Sequence, residues 1–207
     1  MIRKMPPFLL SLVLSWSGFT SQSAFAITEE QRQALYQLKQ SQQDAFFKLE
    51  GENNPIQPVK SVTIVLQSGT YLIDYRLGGG SEGEVYHATK SEEEFALKVY
   101  KSNHLEPIQK DMLAQNKCID SAAFCNLPIA VDMEQHISVF PLLHKMPKEE
   151  EWSRELFDRV MDFYNKLEAA LAADGLRLND RHEENIMWAT PETKEMKAID
   201  FGALQEL

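Results

Sequence analysis

Positive charge is what this chain most lacks: its 207 residues carry 21 Lys and Arg against 31 Asp and Glu, a formal net charge of −10. Nucleic acids and anionic lipid surfaces both reward Lys and Arg, so an acidic chain is a poor ligand for either, and protein or neutral small-molecule partners fit better. Cysteine is scarce too, with only Cys118 and Cys125, seven positions apart. In an oxidising compartment such a pair reads as a small-loop disulfide or as two buried thiols, and spacing alone does not separate the two. Beyond the first 26 residues no apolar run is long enough to span a bilayer, and no repeat or low-complexity tract is present.

What is there fits one globular domain, with 43% apolar and 25% charged residues. Arg3 and Lys4, an apolar run from Phe8 to Trp16 and the small-residue end Ala24-Phe25-Ala26 form a Sec signal peptide over 1–26, cleaved before Ile27. The expected location is therefore secreted or periplasmic. Residues 27–60 read as an accessory: Leu35, Leu38, Ala45, Phe46 and Leu49 mark an amphipathic helix ended by Gly51, and a proline-bearing linker follows over 53–58. From 61 to 100 the pattern is β-rich, with strands at 62–66, 71–73, 85–86 and 95–100 and a charged turn at 91–94. A helix is expected over 105–119, with Pro107 in its first turn, and a strand over 137–143. The clearest helix spans 152–173 and stops at Gly175; strands at 186–188 and 197–199, joined at Pro191, close the chain.

Four segments carry chemistry. Leu77-Gly78-Gly79-Gly80-Ser81-Glu82-Gly83-Glu84-Val85 lies between two strands, where glycine lets backbone N–H groups come close enough to cover phosphates. A dinucleotide-binding turn would need a helix next, and a strand follows instead. Ala96-Leu97-Lys98 sits in an alternating strand, so a small residue and a cation share one face. Asp180 and Asn185, five apart in a loop, can aim at one site, the first orienting a hydroxyl and the second ligating a metal. Asp200-Phe201-Gly202 puts a carboxylate at a strand end, a hard oxygen donor suited to magnesium. Singly, each has a bland alternative: a hairpin turn, an edge lysine, a charged surface loop, a chance tripeptide.

In this order the four segments resemble the protein-kinase-like fold over roughly 72–202. The resemblance implies an α+β, bilobal fold: an antiparallel β N-lobe (61–140), a hinge (140–147) and a truncated, mainly helical C-lobe (148–207). It further implies ATP and Mg2+ as cofactors, with Gly78, Gly79, Gly80 and Gly83 over the triphosphate and Val85 and Ala96 around adenine. Lys98 would hold the α- and β-phosphates, Asp180 would position or deprotonate the acceptor, and Asn185 and Asp200 would hold magnesium. Leu178-Asn179-Asp180 stands where the family has H-R-D, which implies regulation other than through activation-loop phosphate. No Glu follows Lys98 at the distance of its usual helix partner; Asp111 and Gln115 are the polar residues on that stretch. With five residues after Gly202, the chain resembles the minimal effector kinases of pathogenic bacteria, the OspG type, which implies a protein substrate and an activator in a host cell. Asp180-Arg181-His182 with Asn185 is also similar to the loop of phosphoinositide 3-kinases, implying a lipid acceptor, but the acidic charge and missing basic cluster speak against a membrane lipid. A nucleotide-binding pseudokinase that acts by docking, and an adenylylating enzyme, remain alternatives on the same residues.

Overall fold

The computed structural model describes residues 27–48, 61–101, 105–180 and 182–207; the expected signal peptide, Gly51 and the linker at 53–58 lie outside them. The first helix, α1 (Glu29–Lys48), is started by a reciprocal cap. The Gln31 N–H donates to Thr28 Oγ1 (3.1 Å) and the Thr28 N–H to Gln31 Oε1 (2.9 Å), satisfying two donors that a helix start leaves open. Leu35 and Leu38, one turn apart, are buried on the sheet that follows.

That sheet is built from β1 (Val62–Leu66), β2 (Gly69–Gly79), β3 (Gly83–Lys90) and β4 (Glu93–Tyr100). After α2 (Leu105–Lys117) it is completed by β5 (Ala130–Asp132) and β6 (Ile137–Pro141). The order is β1-β2-β3-β4-β6-β5 and every pairing is antiparallel. Between β3 and β4, Ser91 and Glu92 both take positive φ (51° and 70°), the twist that a two-residue hairpin turn demands.

Side-chain alternation then assigns the two faces. Tyr86 lies opposite Leu97 and Leu97 opposite Val139, and all three are buried with Leu35 and Leu38 in one core. One residue along, Val85 lies opposite Lys98 and Lys98 opposite Ser138, on the other face. Each fully buried large apolar side chain contributes about 1.5–3 kcal/mol, whereas a surface ion pair contributes roughly 0–1 kcal/mol. The core therefore sets the register, and Lys98 is delivered to the second face because its neighbours must occupy the first.

The second half has its own core. After β7 (His144–Lys145), α3 (Arg154–Ala173) buries Val160, Phe163, Tyr164, Leu167 and Leu171. Ser153 caps it through a 3.1 Å bond from the Leu156 N–H, and Gly175 ends it at φ +72°. Around it lie β8 (Leu176–Leu178), β9 (Ile186–Trp188), β10 (Met196–Ala198) and β11 (Leu204–Glu206), forming a β10-β9-β7 sheet and a β11-β8 pair. The architecture is α+β, as expected; among the described residues from 148 onward α3 is the one α-helix, joined by three short 3-10 helices and four three-residue strands. Trp152 stays outside α3, its indole N–H bonded to the Pro147 carbonyl at 2.7 Å. The strand expected over 137–143 stops at Pro141, and α2 stops at Lys117. Cys118 and Cys125 are two buried free thiols in this core. No described helix is long and apolar enough to cross a membrane.

Gly83 marks where the hairpin meets its neighbour: a Cβ there would stand 2.4 Å from the Val99 carbonyl oxygen, whereas one at Gly78 would have nothing within 4 Å. Gly83→Ala is expected to destabilise the protein by about 1–3 kcal/mol, and Gly78→Ala by no more than about 0.5 kcal/mol, read as urea midpoints of the two variants; equal midpoints would contradict this packing.

Candidate functional site

Between the two cores runs a cleft of about 1320 Å³. Gly78, Gly79, Gly80, Gly83, Val85, Ala96 and Lys98 line it from the sheet, and Asp180, Glu184, Ile186, Ile199 and Asp200 from the second half. Phe140, Pro141, Leu142 and Leu143 line it where β6 leaves the sheet. The sequence-derived site residues thus meet in one place, Asn185 excepted.

The roof is the β2–β3 hairpin. Its turn is closed by the Gly80 N–H donating to the Gly83 carbonyl (2.9 Å). The Lys101 ammonium donates to the carbonyls of Ser81 (2.6 Å) and Gly80 (3.3 Å). A Cβ at Gly78 or Gly80 would meet nothing within 4 Å, so the backbone there is open to close approach by a ligand.

Beneath it stands Lys98, whose Nζ lies 2.9 Å from Glu82 Oε2 and 3.5 Å from Asp200 Oδ1. The ammonium also sits 4.8 Å from the centre of the Tyr100 ring. Burial pulls its pKa down, but the Asp200, Asp111 and Glu82 carboxylates outweigh burial and leave it above the ordinary lysine value. Lys98 is therefore cationic throughout the physiological range. Of the two polar residues on that stretch of the helix, Asp111 is the one that reaches the cleft. Asp111 of α2 is buried, lines the cleft and accepts the Tyr100 hydroxyl, while the direct partner of Lys98 is Glu82, from the glycine hairpin. Burial, the largest influence, pushes the Asp111 carboxyl up against the opposing pull of Lys98 and Tyr100.

Asp200 takes a left-handed backbone, φ 61° and ψ 86°, and accepts the Gly202 N–H at 3.3 Å. Asp tolerates this region because its short side chain can satisfy a nearby backbone donor. The strand before it is bridged to the 124–126 segment by two bonds: the Ala198 N–H donates to the Phe124 carbonyl (2.7 Å), and the Ala198 carbonyl accepts the Asn126 N–H (2.8 Å). The segment that provides this bridge is tied to the end of α3 by Asp174, which accepts the N–H groups of Ile119, Asp120 and Ser121 and the Ser121 hydroxyl.

Asp180 is exposed at the cleft, with His182 Nε2 3.5 Å from its Oδ2. Its loop is anchored by the Tyr164 hydroxyl donating to the His182 carbonyl (2.8 Å) and by the Asn185 N–H donating to the same carbonyl (2.9 Å). Asn185 itself is buried and does not line the cleft; its amide nitrogen points back to the Asp180 carbonyl at 3.4 Å, and its own carbonyl accepts the Ile199 N–H at 2.9 Å. It ties the Asp180 loop to the strand that carries Asp200.

No protein-family model matches the chain, and no curated protein matches it. Seven carboxyl side chains line the cleft, those of Glu82, Asp111, Glu149, Glu150, Asp180, Glu184 and Asp200, against three lysines, Lys98, Lys145 and Lys148. Among the described residues no cluster of three or more His, Cys, Asp or Glu forms a ready metal cage. A cleft of this sign repels a bare polyanion and favours one that enters with divalent cations.

Sequence reasoning did not find the support behind the hairpin. Glu84, next to Gly83, is held by Lys39 of α1 (2.5 Å) and Arg76 of β2 (2.6 Å). This ties the accessory helix to the roof of the cleft, and no spacing in the sequence announces a pair 45 residues apart. Burial alone would raise the Glu84 carboxyl, but the bonds from Lys39 and Arg76 outweigh it and hold the pKa below the ordinary 4.5. A depressed carboxylate contributes stability above its unfolded pKa and loses it as pH falls through the folded one. Glu84→Gln is therefore expected to lower the melting temperature at pH 7, with the gap narrowing as the pH falls below 4.5 and closing only once the pH is below the depressed pKa of the folded state; a gap that persists unchanged in strong acid would show that the charge is not what matters.

Proposed function

We propose that this protein is a minimal kinase-fold phosphotransferase that binds ATP with magnesium and transfers the γ-phosphoryl group to a protein hydroxyl. One observation carries the reading: Lys98 and Asp200, 102 residues apart, face each other at 3.5 Å under a glycine hairpin, with Asp180 across the same cleft. Phosphoryl transfer asks little covalent chemistry of a protein; it asks for positioning and for charge where charge develops. Lys98 supplies a fixed cation for the α- and β-phosphates, and the open backbone at Gly78 and Gly80 leaves room for the chain of phosphates to come close under the hairpin. Val85 and Ala96, on the same sheet face, offer an apolar slot for adenine.

Asp180 accepts the proton of the acceptor hydroxyl as the new bond from that oxygen to the γ-phosphorus forms. The bond from the γ-phosphorus to the β–γ bridging oxygen breaks, and ADP leaves with the electron pair. Asp200 presents a hard carboxylate oxygen to the cleft, the donor type that magnesium prefers, and would hold the ion there. When bound, magnesium supplies positive charge to the phosphates that three lysines do not.

The leader-like residues 1–26 extend the proposal to an exported protein with a protein acceptor in another cell. A second reading, a nucleotide-binding protein that acts by docking, is favoured by one feature, the burial of Asn185 away from the cleft.

The test is transfer from γ-labelled ATP with magnesium to proteins of a eukaryotic cell lysate. Lys98→Ala and Asp200→Ala are expected to abolish labelling, and Asp180→Asn to reduce it by roughly 10²- to 10⁴-fold. Nucleotide binding without any transfer would favour the docking protein, and labelling that survives all three substitutions would overturn the phosphotransferase.

A further inference from the structure

Glu82 is the acid that the site does not explain. It stands at the tip of the glycine hairpin, yet its side chain turns inward and bridges the cleft. Oε2 lies 2.9 Å from Lys98 Nζ, and Oε1 lies so close to Gly202 that a Cβ there would stand only 2.6 Å from it. An anionic oxygen pair is therefore placed on the cation that a nucleotide phosphate would use, beside Asp200 and its glycine. The hairpin does not need Glu82 for its shape. Its turn is closed by the Gly80–Gly83 bond, and its tip is pinned by the Lys101 ammonium on the Ser81 and Gly80 carbonyls and by the Lys101 N–H on the Glu82 carbonyl. The side chain is thus free to leave while the roof keeps its form, and at 27% exposure it has water to move into.

We infer that Glu82 is an internal stand-in for a nucleotide phosphate: it holds Lys98 in place, and a polyphosphate ligand must displace it to bind. The inference rests on the nucleotide-binding reading above. Two anions compete for one ammonium, so the free energy of the Glu82–Lys98 pair is subtracted from that of phosphate binding, and removing the charge of Glu82 returns it. Gly202 fits the same arrangement, since a side chain at that position would fill the space that the Glu82 carboxylate enters. Glu82 is thereby a residue that sets affinity for the phosphate chain and leaves affinity for the nucleoside alone.

The experiment titrates the parent chain, Glu82→Gln, Lys98→Met and the double variant with ATP–magnesium and with adenosine by calorimetry, and measures the melting temperature of all four without nucleotide. Glu82→Gln is expected to tighten ATP–magnesium binding about 5- to 10-fold, to leave adenosine binding unchanged and to have no effect in the Lys98→Met background. Without nucleotide, Glu82→Gln is expected to lower the melting temperature of the parent chain and not that of Lys98→Met, because only the parent chain loses the ion pair. ATP binding equal to or weaker than that of the parent chain overturns the inference, as does a gain that persists without Lys98. A melting-temperature loss that depends on Lys98, with no binding of either ligand to any chain, leaves the Glu82–Lys98 contact standing and sinks the nucleotide reading; no such loss with intact ATP binding sinks the contact and spares that reading.

Discussion

Placing the Lys98 ammonium in a half-closed cleft, with its side chain 15% exposed, imposes a demand on the whole molecule. An ion taken out of water and left unpaired loses several kcal/mol, so carboxyl groups must converge on it. They come from three different elements: Glu82 from the glycine hairpin, Asp111 from α2 and Asp200 from the turn after β10. None of these is near another in sequence. The sheet, the helix across its cleft face and the hairpin of the second half must therefore be held in one relation before the charge is balanced, and the packing described above does this.

Support for that relation is layered. On the far side of the sheet, α1 buries Leu35 and Leu38 against β-strand residues and sends Lys39 to Glu84, behind the hairpin that covers the cleft. On the other side, the bridge from Phe124 and Asn126 to Ala198 fixes the strand that ends at Asp200, and Asp174 fixes that bridge to α3. The apolar cores supply most of the stabilising free energy, and the polar contacts decide where the few charged side chains end up. This division explains why a strongly acidic chain can concentrate carboxyl groups along one cleft and remain folded: the repulsion is spread over solvated side chains, and the buried acid, Asp111, has both a hydroxyl donor and a nearby cation.

Much of this was legible in the sequence because it follows from periodicity and turn chemistry. Leu97 and its alternating neighbours place Ala96 and Lys98 on one face, and the structure puts both on the cleft. The stripe of Val160, Phe163, Leu167 and Leu171 defines α3, and Gly175 ends it. What escaped is short or non-local. β8 and β11 are three residues each, too short to show alternation, and pair only through the folded chain, Leu176 with Glu206 and Leu178 with Leu204. Glu82 occupies a variable position of a glycine motif, so nothing in the spacing marks it as the partner of Lys98. Asn185, expected to hold magnesium, lies buried with its side-chain amide on the Asp180 carbonyl and its backbone carbonyl on the Ile199 N–H, contacts visible only once the strands are placed.

The central claim, that Lys98 and Asp200 define a site for a metal-bound polyphosphate, is tested most directly by Mn2+ in place of magnesium, followed by electron paramagnetic resonance. With ATP present, the protein is expected to bind Mn2+ and broaden the signal beyond that of the Mn2+–ATP complex alone, and Asp200→Asn is expected to abolish the change. ATP binding that proceeds equally well without any divalent cation, or Mn2+ retention undiminished in Asp200→Asn, would contradict it.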